Sequence, residues 1–192
     1  MRVIDERFYL NKYGNTIPGL VVLQPDVFND SRGYFYESYN KGWFDFNIGK
    51  YNFVQDNESR SSYGVLRGFH YQAEPFMQAK LVRVARGEVL DVVVDLRVDS
   101  DTYGETHHVF LSGENQRQFF IPEGFAHAFL CLRDDTIFQY KCNNFYNKES
   151  ERCIRYDDPF IGFDWGMYID KEKLIVSEKD KAGMTWEQAQ KN

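Results

Sequence analysis

The feature that most constrains this chain is a series of short, apolar-rich runs, each closed by turn chemistry before it reaches helical length. Such runs occupy residues 20–23, 34–39, 66–72, 81–85, 89–96, 109–111, 118–121, 129–132 and 137–141. Pro25 ends the first, and Ser31-Arg32-Gly33 turns the chain into the second. The run at 89–96 shows a two-residue period: Leu90, Val92, Val94 and Leu96 share one face, Asp91 and Asp95 the other. Ser112-Gly113-Glu114-Asn115 reads as the turn of a hairpin joining 109–111 to 118–121. Many short strands at regular spacing imply an all-β sandwich, jelly roll or barrel. Helix signals are confined to 41–49 and to the tail at 178–191. No internal repeat, low-complexity tract or linker divides the chain, so 1–192 reads as one domain.

Composition supports this reading and narrows the function. Aromatic residues make up 17% of the 192, a density suited to pleated, half-buried surfaces. No apolar run approaches the roughly 20 residues needed to span a membrane, and charges interrupt 1–15 too often for a secretory signal. Three cysteines, Cys131, Cys142 and Cys153, form no CxxC pair and fit buried thiols in a reducing cytoplasm. The net charge of −6 argues against nucleic-acid binding. Residues 60–97 nevertheless hold six Lys or Arg against four acids, a local +2 within an acidic protein. That strip suits a small anionic ligand; a solvated sheet edge is the competing reading.

The histidines sort by context. His107 and His108 are adjacent, so on a strand they face opposite ways and read as surface or packing residues. His70 and His127 lie in apolar strands, where a buried polar group needs a partner. A jelly-roll metal site would pair HxH with a later His in a PxGxxH setting. Pro122, Gly124 and His127 supply the second half, but Gln72 stands where the second His of HxH belongs, and Gln is a poor transition-metal ligand. The expectation is therefore no metal and no cofactor. A metal-free site needs a base, an acid and a cation. His70 suits the base. Lys80 opens an apolar strand, where it either serves a site or reaches solvent. Tyr140, taken alone, reads as core.

Several runs together resemble the dTDP-4-dehydrorhamnose 3,5-epimerase family: 27–35 (VFNDSRGYF), 54–57 (VQDN), 66–72 (LRGFHYQ), 80–84 (KLVRV), 87–89 (GEV), 120–127 (FIPEGFAH) and 177–180 (SEKD). They lie in order across most of residues 20–180. The resemblance implies a double-stranded β-helix, or cupin-like jelly roll, with short peripheral helices. It implies a homodimer with its nucleotide-sugar site near the subunit boundary, to which composition adds a cytoplasmic setting and no nucleic-acid or membrane partner. It assigns His70 as base, Asp180 as the carboxylate orienting it, Tyr140 as acid and Lys80 as the cation near the C4 oxygen. It assigns Phe28, Arg32, Glu37, Gln55, Asn57, Arg67, His127 and Phe145 to the nucleotide, diphosphate or sugar, with Phe28 and Phe145 enclosing the base. Read without the resemblance, Ser177 and Asp180 would be a helix-capping pair. The chain departs from the family pattern at Glu58, often histidine, and at Gly166, usually proline.

The implied reaction is proton transfer at C3 and C5 beside the C4 ketone, through an enolate. Two rivals stand beside it: a sister epimerase inverting one centre or acting on another nucleotide-linked keto sugar, and a noncatalytic sugar-binding jelly roll.

Overall fold

A computed structural model describes residues 1–3 and 17–191 of the chain. Most of the N-terminal stretch read as lacking a secretory signal lies outside the described residues. The strands are β1 (Arg2–Val3), β2 (Val21–Gln24), β3 (Phe28–Asp30), β4 (Gly33–Phe35), β5 (Gln55–Ser61), β6 (Val65–Gln72), β7 (Lys80–Arg86), β8 (Glu88–Asp95), β9 (Thr106–Ser112), β10 (Gln118–Ile121), β11 (Phe125–Cys131), β12 (Thr136–Cys142), β13 (Glu151–Cys153) and β14 (Ile175–Val176). The helices are α1 (Lys41–Asn47), α2 (Glu178–Lys181) and α3 (Trp186–Ala189).

Two sheets form a jelly roll. One runs β1-β2-β10-β7-β12-β5, and the other runs β13-β6-β11-β8-β9. The chain steps between sheets at tight glycine turns. Gly87, between β7 and β8, has φ +80° and lies against Thr136, so a side chain there would be both strained and obstructed. Val82 and Val84 of β7, Phe119 and Ile121 of β10 and Phe138 of β12 meet Val89 and Val93 of β8 and Phe129 of β11 in the interior. The second sheet is covered on its outer side as well. Leu90, Val92, Val94, Ala126, Ala128 and Leu130 pack beneath Ile154, Ile161, Trp165, Ile169 and Trp186 of the C-terminal segment. Both faces of β8 and β11 are therefore buried. The Asp91 face of β8, expected to be the polar side of an amphipathic strand, points to the interior, and Asp91 is 0% exposed.

Several local expectations change. Residues 109–111 and 118–121 do not form a hairpin: β9 pairs with β8, and β10 pairs with β2 and β7. Ser112-Gly113-Glu114-Asn115 instead links the two sheets, because local turn chemistry does not select the distant partner. The 34–39 run ends as a strand at Phe35, and its hairpin with β3 pairs with no other described strand. The tail is two short helices rather than one: Met184 bridges Ile154 between them and fixes the break. The edge strand β5 carries QDNESRS, which lacks the apolar alternation that signals a strand. No helix among the described residues is long and apolar enough to cross a membrane.

Candidate active site

Between the sheets lies a cavity of about 500 Å³. Gln55, Asn57, Arg67, His70, Lys80, His127 and Tyr140 all line it. The two sheets contribute from opposite sides. β6 and β11 bring Arg67, His70 and His127; β5, β7 and β12 bring Gln55, Asn57, Lys80 and Tyr140. Alternation puts Phe138, Tyr140 and Cys142 on one face of β12, with Asn57 opposite Tyr140 on β5.

Arg67 and His70 are three residues apart, which in a regular strand would send them to opposite faces. They share the cavity because the β6–β11 pairing shifts register: His127 pairs with His70, while Phe129 pairs with Arg67. Gly68 and Phe69 of β6 thus oppose the single residue Ala128 of β11, a bulge that re-aims the following side chains. Gly68 permits it, with φ +115° and no room for a Cβ against the His127 carbonyl.

His70 is held from behind. Its Nε2 lies 2.6 Å from Asp180 Oδ1, and Asp180 is buried. This bond favours the tautomer with its proton on Nε2, leaving Nδ1 as a free acceptor. Ser177 caps α2 by accepting from the Asp180 backbone N–H at 3.1 Å, so the capping reading and the His70 contact hold together. Burial pushes the Asp180 carboxyl up, but bonds from His70, Ser177 and Cys153 outweigh that and hold it below the usual carboxylate range. Cys153 has its thiol pushed up to about 12, first by burial and then by Asp180.

Across the cavity, Lys80 Nζ has no hydrogen-bond or ion-pair partner among the described residues, and lies 6.0 Å from the Tyr140 ring centroid. Desolvation lowers its amine below the ordinary lysine range, against the opposing fields of Cys142 and Asp91. Burial likewise raises the Tyr140 phenol, which keeps it protonated at neutral pH. Asp91 was not singled out for the site, yet both its carboxylate oxygens lie 2.9 Å from His127 Nε2. Burial raises Asp91 and lowers His127, while the bond between them opposes both shifts. Its signal in the sequence was an acid inside the valine-rich run of β8. Gln72 uses its side-chain oxygen to accept from the Asn147 backbone N–H at 3.0 Å, a structural role that histidine would not fill in the same way.

Four expected residues do not line this cavity. Phe28 and Arg32 sit on the exposed β3–β4 hairpin, where Arg32 pairs with Asp30 at 2.6 Å, and Glu37 is exposed beyond it. Phe145 is 64% exposed; its neighbour Tyr146 lines the wall instead, its backbone N–H donating to Gln55 Oε1 at 3.1 Å. Nothing local in the sequence distinguishes these two adjacent aromatics; the strand pairing turns Tyr146, and not Phe145, to this wall. Glu151, also missed, lines the wall and accepts from Tyr146 and Lys179. His107 packs beside Phe119, whereas His108 meets the Tyr168 hydroxyl on the outer face, as their opposite orientations require.

Comparison with known proteins places this geometry. The family model for dTDP-4-dehydrorhamnose 3,5-epimerase matches residues 15–188. A relative of that name from Methanothermobacter thermautotrophicus is 53% identical over 86% of this chain and 89% of its own. A crystal structure of the enzyme from Elizabethkingia anophelis superposes with a TM-score of 0.86 at 42% identity, covering 98% of this chain and 97% of that one. The dTDP-6-deoxy-D-glucose-3,5-epimerase of Legionella pneumophila, in complex with dTDP-4-keto-L-rhamnose, has a TM-score of 0.84 at 45% identity, covering 89% of each chain. The chain belongs to the dTDP-4-dehydrorhamnose 3,5-epimerase family, a family of isomerases.

Proposed function

We propose that this chain inverts C3 and C5 of a dTDP-linked 4-keto-6-deoxyhexose, taking dTDP-4-dehydro-6-deoxy-D-glucose to dTDP-4-dehydro-L-rhamnose without a cofactor. The observation that carries this reading is the placement of His70 and Tyr140 on facing sheets of one cavity, with Lys80 beside Tyr140. Inversion needs a proton taken from one face of a sugar ring and returned on the other, so donor and acceptor must flank the ring.

His70 Nδ1 removes the proton next to the ketone. Asp180 holds the ring orientation and stabilises the imidazolium that forms. The carbon acid is weak, and a general base supplies only about 10²- to 10⁴-fold. Lys80 therefore bears much of the reaction: its ammonium stabilises the enolate charge on O4, a task worth roughly 3 kcal/mol for one well-placed donor. Tyr140, kept protonated by burial, returns a proton to the opposite face. Arg67 binds the diphosphate as a forked donor. His127, fixed by Asp91, faces the sugar, with Gln55 and Asn57 beside the Tyr146 wall.

Phe28, Arg32 and Glu37 fit a homodimer. The β3–β4 hairpin exposes Phe28, Tyr34 and Phe35, and pairs with no described strand of its own chain. We assign it to the nucleotide end of a partner's cavity.

Incubation with dTDP-4-keto-6-deoxyglucose in D₂O tests the reading. Deuterium at both C3 and C5 is the expected result. Incorporation at one carbon only would make the chain a single-centre epimerase, and incorporation at neither would overturn the reading.

A further inference from the structure

The groups behind His70 have a chemistry that epimerisation does not use. Among the described residues, a ring nitrogen of His70, Cys153 Sγ and an Asp180 carboxylate oxygen lie within 4.8 Å of one another, and Nε2 is the nitrogen that faces Asp180. β13 supplies the thiol: Cys153 stands opposite His70 in the β6–β13 register, so both side chains project to the same side of the sheet. Imidazole, thiolate and carboxylate are the donor types that zinc-like cations take, at bond lengths of about 2.0–2.3 Å. Ligand atoms around a tetrahedral ion of that kind stand roughly 3.3–3.7 Å apart. Cys153 Sγ is already 3.7 Å from Asp180 Oδ1. The His70–Asp180 contact of 2.6 Å must open by on the order of 1 Å to admit an ion.

We propose that His70, Cys153 and Asp180 form an inhibitory site for a thiophilic divalent cation such as Zn²⁺ or Cd²⁺. The ion forms bonds to Nε2, Sγ and one Asp180 oxygen. The S–H bond breaks and its proton leaves to solvent, and the Nε2 proton is replaced by one on Nδ1; no electron is transferred. Thiolate and carboxylate, both buried, together balance the dication, so the occupied site carries no net charge. Occupation protonates the nitrogen assigned as base and removes Asp180 from its orienting role. This inhibitory consequence rests on the epimerase reading, whereas the binding does not.

The test separates the two. Cd²⁺ is titrated into the intact protein while the ultraviolet thiolate-to-cadmium charge-transfer band is recorded, and substrate deuterium exchange is measured in parallel with Zn²⁺, with Mg²⁺ and after EDTA. The expected result is one Cd²⁺ per chain, with the band lost in Cys153→Ala and affinity reduced more than about tenfold in Asp180→Asn. Zn²⁺ should suppress exchange and EDTA restore it, with Mg²⁺ inert. The ratio of activity with and without Zn²⁺, taken within each variant, should approach one in Cys153→Ala. Should that variant fail to fold, Cys153→Ser supplies the same comparison. A missing band in the unmodified protein, or one that persists in Cys153→Ala and so belongs to Cys131 or Cys142, overturns the site. A band without inhibition overturns the inhibitory role. If the metal-free protein shows no exchange while the band behaves as expected, the epimerase reading fails and the metal site stands.

Discussion

The cavity wall and the β3–β4 hairpin both carry residues that the motif resemblance assigns to a site, but only the wall's residues line the cavity between the sheets. Arg67, His70, Lys80, His127 and Tyr140 are fixed by strands whose other side chains form the core, so their positions follow from packing. The hairpin buries little: Phe28 is 65% and Phe35 71% exposed, and among the described residues Arg32 pairs with the nearby Asp30. The wall is built on strands of two packed sheets, one of them covered on both faces. Groups gripping the far end of a ligand can sit on an element that another surface completes.

Four predictions press on this contrast. His70→Ala, in the wall, should reduce deuterium exchange at both carbons by about 10³-fold or more while leaving the fold intact by circular dichroism. A near-normal rate would remove the base from the proposal. Lys80→Met should lower kcat by roughly 10²- to 10³-fold with a smaller change in KM, because the interaction strengthens as the enolate forms. In the unmodified enzyme, activity should fall as pH rises through a value below the ordinary lysine range, since burial favours the neutral amine and only the ammonium stabilises O4. The pH–rate profile of Lys80→Met should lack that limb.

Arg32→Ala, on the hairpin, should raise KM by roughly 10- to 100-fold, the value of one charge-assisted bond, with little change in kcat. Mixing Arg32→Ala and His70→Ala subunits should recover activity if each hairpin serves a partner's cavity, because one site of the mixed dimer is then intact. No recovery would return Arg32 to its own chain. Stability gives the last comparison, measured by denaturant unfolding. Phe69→Ala, at a side chain with 0% exposure, should lose about 3–5 kcal/mol. Phe35→Ala should change stability of the isolated chain by no more than about 0.5 kcal/mol.

Much of the fold was legible because strands with one apolar face announce their period. The runs at 66–72, 81–85, 89–96 and 137–141 all became strands within a residue or two of their expected ends. β5 was silent, since an edge strand that carries polar side chains into a cavity has no apolar alternation. The site was legible through motif resemblance rather than through periodicity. Tyr140 alone read as core and Asp180 as a cap, and each description is true of its immediate surroundings. Tyr146 on the cavity wall, and Asp91 beneath His127, became visible only once the strands were paired.

The sequence by itself determined the strand-rich character, the glycine that lets β6 bulge, and the residue types available for proton transfer. Only the tertiary structure decided which strands meet, that the acidic face of β8 turns inward, and that a carboxylate 110 positions from His70 stands 2.6 Å from its ring. Hydrophobic periodicity specifies which side of a strand is buried but not which distant strand covers it. That choice is made by the packing of the whole chain, and the cavity exists only where two sheets, each satisfied elsewhere, face one another.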